Sequence, residues 1–143
     1  MASHQYNVNL KWKADRLGEV SSPELQSTIE VATPPQFPKG IEGVWSPEHF
    51  FTAAVNSCFM TTFLAIAENS RLEFKTFNCN AIGHLDQVEG KYMMTEIDLY
   101  PSLVITKEED KEKALRVLEK SEKACLISNS ILSKVNLHPE INL

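Results

Sequence analysis

The sequence predicts an α+β fold, a single domain over residues 1–143, with antiparallel sheets around one long buried central helix. Three observations carry this. Short alternating stretches come first, an uncharged run from Phe50 to Ala67 follows, and two more alternating stretches then lead into an amphipathic one. Strands, helix, strands, helix is the order of segregated α+β elements and not of a repeating βαβ series.

Tyr6, Val8, Leu10 and Trp12 alternate with polar neighbours and predict a half-buried strand. Leu25 to Val31, with Ile29 and Val31 on one face, predicts a second. Between them DRLGEVSSPE, with Gly18 and Pro23, reads as a hairpin loop. TPPQFPKGIEGVW holds three prolines and two glycines and predicts a long loop delivering the chain to the central helix. That helix has its start signal in Ser46 as cap, Pro47 in the first turn and Glu48 at the positive end of the dipole, and it is expected to run to Glu68 or Asn69.

Phe77, Cys79, Ala81, Gly83 and Leu85 then share one strand face, and Met93, Thr95, Ile97 and Leu99 another, with QVEG as the turn. Pro101 predicts a bend or an edge there. Thr106-Lys107-Glu108-Glu109 has the pattern of a capping box, and the helix after it places Ala114, Leu115, Leu118 and Cys125 on roughly one face. A short helix from Ser128 or Asn129 and a closing strand within Val135–Leu143 complete the expectation.

With 43% apolar and 23% charged residues in 143, the chain has the composition of an ordinary globular protein. Its 14 Lys and Arg against 19 Asp and Glu give a net charge of −5, which argues against nucleic acid or an anionic membrane surface as partner. MASHQYNVNLKWK has no continuous apolar block, so no secretory signal is expected and the expected location is cytoplasmic. The Phe50–Ala67 run falls a little short of the ~20 residues of a spanning helix and contains five Thr, Asn and Ser residues, so it reads as a buried helix. The three cysteines, Cys58, Cys79 and Cys125, lie far apart with no paired spacing, which excludes a disulfide scaffold and argues against a structural metal; no cofactor is expected.

Unpaired cysteines are among the most buried residues, so the plain expectation for Cys58 and Cys125 is core. A reactive cysteine needs a nearby cation in a pocket that does not fully solvate its charge. Arg16, in the tight turn Asp15-Arg16-Leu17-Gly18, and Arg71, just past the central helix, are the arginines near candidate pocket walls; Arg116 lies on an exposed-looking face. Cys79, on the face of Phe77 and Ala81, reads as core. His49 reads as surface or interface, and His84 and His138 occupy strand positions without an evident partner.

The run Ser46-Pro47-Glu48-His49-Phe50-Phe51, then Ala53-Ala54, then Cys58, resembles the signature of the OsmC/Ohr family of osmotically inducible and organic hydroperoxide resistance proteins. The Pro/Gly-rich segment before Ser46, the turn Arg16-Leu17-Gly18 and the second cysteine in Ala124-Cys125-Leu126-Ile127-Ser128-Asn129 follow in the family's order, so the likeness covers nearly the whole chain. Many relatives carry Pro where this chain has Leu126. The resemblance implies an OsmC-like fold, an interwoven homodimer, and a cysteine-based peroxidase of the oxidative stress response that reduces organic, alkyl or lipid, hydroperoxides. It assigns Cys58 as the reactive thiol, Cys125 as the resolving thiol that forms a disulfide with it, and Arg16 and Glu48 as the supporting charge pair.

In that scheme Arg16 favours the Cys58 thiolate, keeping it below the range of a free thiol, and holds the leaving oxygen, while Glu48 orients the guanidinium. Phe50, Phe51, Phe59 and Met60 supply an apolar wall for the substrate. An external dithiol, of lipoyl type for instance, reopens the disulfide. Ten residues separate Glu48 from Cys58, a rise of ~15 Å in a straight helix, so either the helix breaks between them or the cluster is shared between two protomers, and the second is the expectation. The alternative is a small-molecule binding or redox-sensing protein of the same fold without turnover.

Overall fold

A computed structural model describes residues 3–143. Seven strands and two α-helices follow in the order β1 (Asn9–Ala14), β2 (Leu17–Ser21), β3 (Ile29–Ala32), α1 (Pro47–Asn69), β4 (Phe74–Val88), β5 (Lys91–Ile105), α2 (Lys111–Ala124), β6 (Lys134–Leu137) and β7 (Glu140–Asn142), with single 3-10 turns at Glu108–Asp110 and Ser128–Ser130. The chain divides into two compact units, one ending at Phe50 and one from Phe51 to Leu143.

In the first unit β1, β2 and β3 form an antiparallel meander. DRLGEVSSPE is therefore not one hairpin loop: Leu17–Ser21 is the central strand, and the hairpin closes over Asp15 and Arg16 alone, with Ala14 paired to Leu17. Asp15 takes a left-handed φ of 48°, and the Trp12 indole N–H donates to its carbonyl at 3.0 Å. Pro23 marks the next turn, not the first. The loop before α1 is anchored where Ala32 N–H donates to the Trp45 carbonyl at 2.8 Å. Gly40 is required there, since any Cβ would collide with the backbone of Pro34.

α1 begins as expected. Ser46 Oγ accepts from the His49 N–H at 3.2 Å, and His49 Nδ1 accepts from the Ser46 N–H at 3.3 Å. This is a reciprocal capping box with His49 in the place that Glu or Gln usually fills. The helix ends in a Schellman motif: Arg71 takes φ 56°, Leu72 N–H donates to the Ala67 carbonyl and Arg71 N–H to that of Glu68. At 23 residues α1 outruns the uncharged stretch, and by length and composition it is long enough and apolar enough to cross a membrane. Val55, Phe59, Phe63 and Ala67 are instead buried in the core of the second unit.

That core lies on a mixed sheet in which β5 pairs antiparallel with β4 and parallel with β6 and β7. The sheet is thus not wholly antiparallel, because the α2 crossover returns the chain in the direction of β5. Phe63 stacks on Phe77 with ring centroids 4.5 Å apart and meets Phe74 edge-on at 5.2 Å. The fully buried Phe63 side chain contributes roughly 1.5–3 kcal/mol of transfer free energy. The β4–β5 turn closes over Glu89 and Gly90, both at positive φ.

Several expectations are corrected here. Pro101 sits inside a central strand, fully buried and opposite Cys79. The Leu99 carbonyl accepts from His138 N–H, so by strand alternation the Pro101 nitrogen faces the same side, in the gap where β6 has ended at Leu137 and β7 has not begun. The Thr106 capping box does not form, because Lys107 is extended and a 3-10 turn intervenes before α2, whose start at Asp110 has no side-chain cap. α2 buries Ala114, Val117, Leu118 and Ser121, and Leu115 is 39% exposed, so the inward face is turned toward Val117 relative to the expected one. The closing strand is split at His138-Pro139 into β6 and β7.

Candidate functional site

Cys58 lies midway along α1 with its side chain 9% exposed, and Cys125 is the fully buried C-cap residue of α2. The fold brings them together. The Cys125 side chain and the peptide groups of Ile127 and Leu126 lie close enough to act on the charge of the Cys58 thiol, and Thr62 Oγ1, one helical turn beyond Cys58, lies 3.9 Å from Sγ. Both thiols are free.

Burial pushes the Cys58 thiol up, and the hydrogen bonds from Ile127, Cys125, Thr62 and Leu126 more than offset it, so the net shift is downward. Cys125 moves the other way, raised by burial and by the neighbouring Cys58 sulfur against the opposing effect of Ser128. The pair is thereby polarised, with Cys58 the more acidic thiol and Cys125 the less acidic one. The downward direction for Cys58 is the one read from the sequence, but the groups that produce it are peptide N–H groups, a thiol and a hydroxyl.

The remaining residues singled out in the sequence are placed as follows. Arg16 is exposed in the β1–β2 turn. Glu48 is half-buried in the first turn of α1, where its charge complements the helix dipole. The four residues expected as an apolar wall, Phe50, Phe51, Phe59 and Met60, have different surroundings. Phe50 stacks on Trp45 at 5.5 Å, Phe51 packs on the core, Phe59 is fully buried with its ring 6.0 Å from that of Phe77, and Met60 is 40% exposed. Phe59 is therefore a core residue and no wall for a ligand, because position 59 faces the sheet. Met60, with Ala53, Asn56, Ser57, Phe77 and Cys79, lines an open hollow of about 350 Å³. Burial pushes the Cys79 thiol up to about 11.

Three contributors were given no part in the site by the sequence: Thr62, Leu126 and Ile127. Thr62 had a signal, since it stands four residues from Cys58 on the same helix face. The peptide groups had none, because a backbone donor carries no side-chain signature.

His84 and His138 do have a partner. On the face of the sheet away from the core, His84 Nε2 lies 2.7 Å from Asp98 Oδ2, His138 Nε2 lies 3.1 Å from Oδ1, and Asn136 Nδ2 donates to Oδ1 at 3.0 Å. These bonds hold the Asp98 carboxyl down at about 2. Among the described residues no group of three or more His, Cys, Asp or Glu is arranged to hold a metal ion.

The family model described as OsmC-like protein matches residues 40–140. The chain is 26% identical to the uncharacterized protein YmaD of Bacillus subtilis over 151 aligned positions, covering 100% of this chain and 97% of that one. Among solved structures, an OsmC-like protein of unknown function from Vibrio cholerae superposes with a TM-score of 0.86 at 24% identity, covering 96% of this chain and 99% of that one. The organic hydroperoxide resistance protein OhrB of Bacillus subtilis gives 0.71 at 18%, covering 96% and 98%.

Proposed function

Since this chain belongs to the OsmC-like family and its two buried thiols meet as a polarised pair, we propose that it is a thiol-dependent peroxidase that reduces organic hydroperoxides. The polarised pair is the observation that carries the reading. A structural cysteine in apolar surroundings is raised by its burial, as Cys79 is on β4; Cys58 alone of the three is lowered.

The Cys58 thiolate attacks the terminal peroxide oxygen. The S–O bond forms, the O–O bond breaks, and an alkoxide leaves, to be protonated to the alcohol, while Cys58 becomes a sulfenic acid. Cys125 then attacks the Cys58 sulfur. The sulfenic hydroxyl departs with the Cys125 proton as water, and a Cys58–Cys125 disulfide remains. An external dithiol supplies two electrons and two protons to restore both thiols, a step suited to the reducing cytoplasm. Arg16 donates to the departing oxygen and Glu48 orients the guanidinium. An organic, alkyl or lipid, peroxide is the preferred substrate over hydrogen peroxide in this reading, in line with the organic hydroperoxide resistance protein of the same fold.

The test is consumption of cumene hydroperoxide with a dithiol reductant, set beside hydrogen peroxide. Turnover is expected with the organic peroxide, its loss in Cys58→Ser, and a fall of about 100-fold in Arg16→Ala, the size of losing one transition-state donor. Mass mapping after one equivalent of peroxide should find Cys58 joined to Cys125. Ligand retention without turnover would instead make the protein a binding or sensing member of the fold.

A further inference from the structure

The last carbonyls of a helix have no partner within it, and at the end of α2 they are met by the segment that follows. Asn129 Nδ2 donates to the Lys123 carbonyl at 3.1 Å, in the last turn of the helix, while the Asn129 peptide N–H donates to the Cys125 carbonyl at 3.0 Å. Ser130 repeats the arrangement one residue on. Its Oγ donates to the Leu126 carbonyl at 2.7 Å and its N–H to that of Ile127 at 2.9 Å. The carbonyls of Cys125, Leu126 and Ile127 are thus each held from Asn129 or Ser130.

Side-chain packing fixes this stretch only in part. Cys125 leaves the helix extended at φ −64° and ψ 114°, and Ile127 returns to helical values at φ −67° and ψ −46°. Ile127 packs against the core, but Leu126 between them is 66% exposed, and a leucine sets neither its own φ nor the conformation of the residue before it, as a proline would. The reversal that carries the fully buried Cys125 therefore leans on its hydrogen bonds.

We propose that Asn129 and Ser130 are positioning residues for Cys125, their side chains clamping the turn so that its thiol stays within reach of Cys58; this rests on the reading of Cys125 as the resolving thiol. The clamp acts on a competition. Attack by Cys125 on the Cys58 sulfenic acid forms the S–S bond and releases the sulfenic oxygen, with the Cys125 proton, as water. Attack of the sulfenic acid on a second hydroperoxide instead takes up one more oxygen, giving sulfinic acid and an alcohol, and the dithiol does not reverse it. The first step is intramolecular, so its rate follows how well Cys125 is held, and a disulfide tolerates Cα separations of only about 4.4–6.8 Å. The second step does not involve Cys125. A clamped turn keeps Cys58 on the reversible branch.

Graded cumene hydroperoxide without reductant, with Cys58 read by peptide mass mapping, gives the concentration at which half of it has become sulfinic acid rather than disulfide. Asn129→Ala and Ser130→Ala should each lower that concentration about fivefold, the weight of one hydrogen bond. Ser130→Thr, which keeps the hydroxyl, should restore it, and Leu132→Ala, at a side chain 91% exposed, should leave it at the parent's value. The rate of the first oxidation of Cys58 should not move, which separates the holding of Cys125 from a general loosening of the fold. Glutathione exchange supplies a readout without peroxide: the effective concentration of Cys125 toward Cys58 should fall by the same factor in both alanine variants.

Both readouts unchanged in both alanine variants would overturn the clamp. So would an equal fall in Leu132→Ala, or a parent that forms no Cys58–Cys125 disulfide in exchange. Should Asn129→Ala fail to fold, Ser130→Ala against Ser130→Thr decides alone. The two questions stay separate: a parent that turns over cumene hydroperoxide with neither readout moved in the variants keeps the peroxidase and loses the clamp, and a parent inert to the peroxide whose exchange equilibrium shifts in the variants keeps the clamp and loses the peroxidase.

Discussion

Three cysteines in one chain show how far environment governs a side chain. Cys79 is half-buried on β4 with its thiol raised to about 11, so at pH 8 only about one molecule in a thousand carries it as thiolate. Cys58 is more buried and yet lowered. Access and charge therefore favour opposite residues, which makes alkylation decisive. At pH 8 iodoacetamide is expected to label Cys58 well ahead of Cys79 and Cys125, read by peptide mapping against time. Labelling of Cys79 first would mean that exposure governs, and the polarised pair would lose its chemical meaning. None of this ranking is visible in the sequence, where all three stand among apolar neighbours; family resemblance singled out Cys58 and Cys125, and local pattern did not. Phe59 shows the same limit, since its side was fixed by the sheet that α1 packs on.

At the scale of elements, what was legible is what is local. The Ser46 cap, the uncharged run and the alternation of β4 and β5 each act within a few residues, and α1 and the hairpin appear where expected. β2 was misread because Leu17 and Val20 break strict alternation and because its turn depends on a non-glycine residue, Asp15, at positive φ. Pro101 was misjudged because the gap that excuses it is made by strands some 40 residues later. The Asp98 cluster is of this non-local kind, binding β4 through His84, β5 through Asp98 itself, and β6 with the residue after it through Asn136 and His138. The Asp98 carboxyl stands at about 2 in the folded chain against an ordinary 3.8. Its contribution to stability is therefore complete above about pH 4, declines as pH falls toward 2, and is gone below that. Asp98→Asn is expected to melt below the parent at pH 7, with the gap closing as both are taken down to pH 2. A gap that persists unchanged at pH 2 would mean that the substitution acts through something other than the charge.

For the whole molecule the informative feature is apolar surface that the chain leaves uncovered. On the first unit Tyr6, Val8, Leu10 and Trp12 are 83%, 67%, 71% and 72% exposed, and every residue of β1 is exposed. The alternation that predicted a half-buried strand is present, but the strand's residues are exposed rather than half-buried. On the second unit α1 buries one side and leaves Met60 and Leu64 40% and 44% exposed. A contiguous apolar face rimmed by polar residues marks an interaction surface in soluble proteins, and a three-stranded meander needs its apolar face covered to be stable. A second copy of the chain is the occupant proposed here, because the sequence separation of Glu48 and Cys58 already pointed to shared assembly. The protein is accordingly expected to sediment as a dimer at micromolar concentration. Val8→Lys with Leu10→Lys places two charges on the β1 face and should shift sedimentation toward monomer, with turnover of cumene hydroperoxide falling in parallel as the monomer fraction grows. A parent that sediments as a monomer while fully active, or a doubly charged variant that stays dimeric, would show that this face is not where the chains meet.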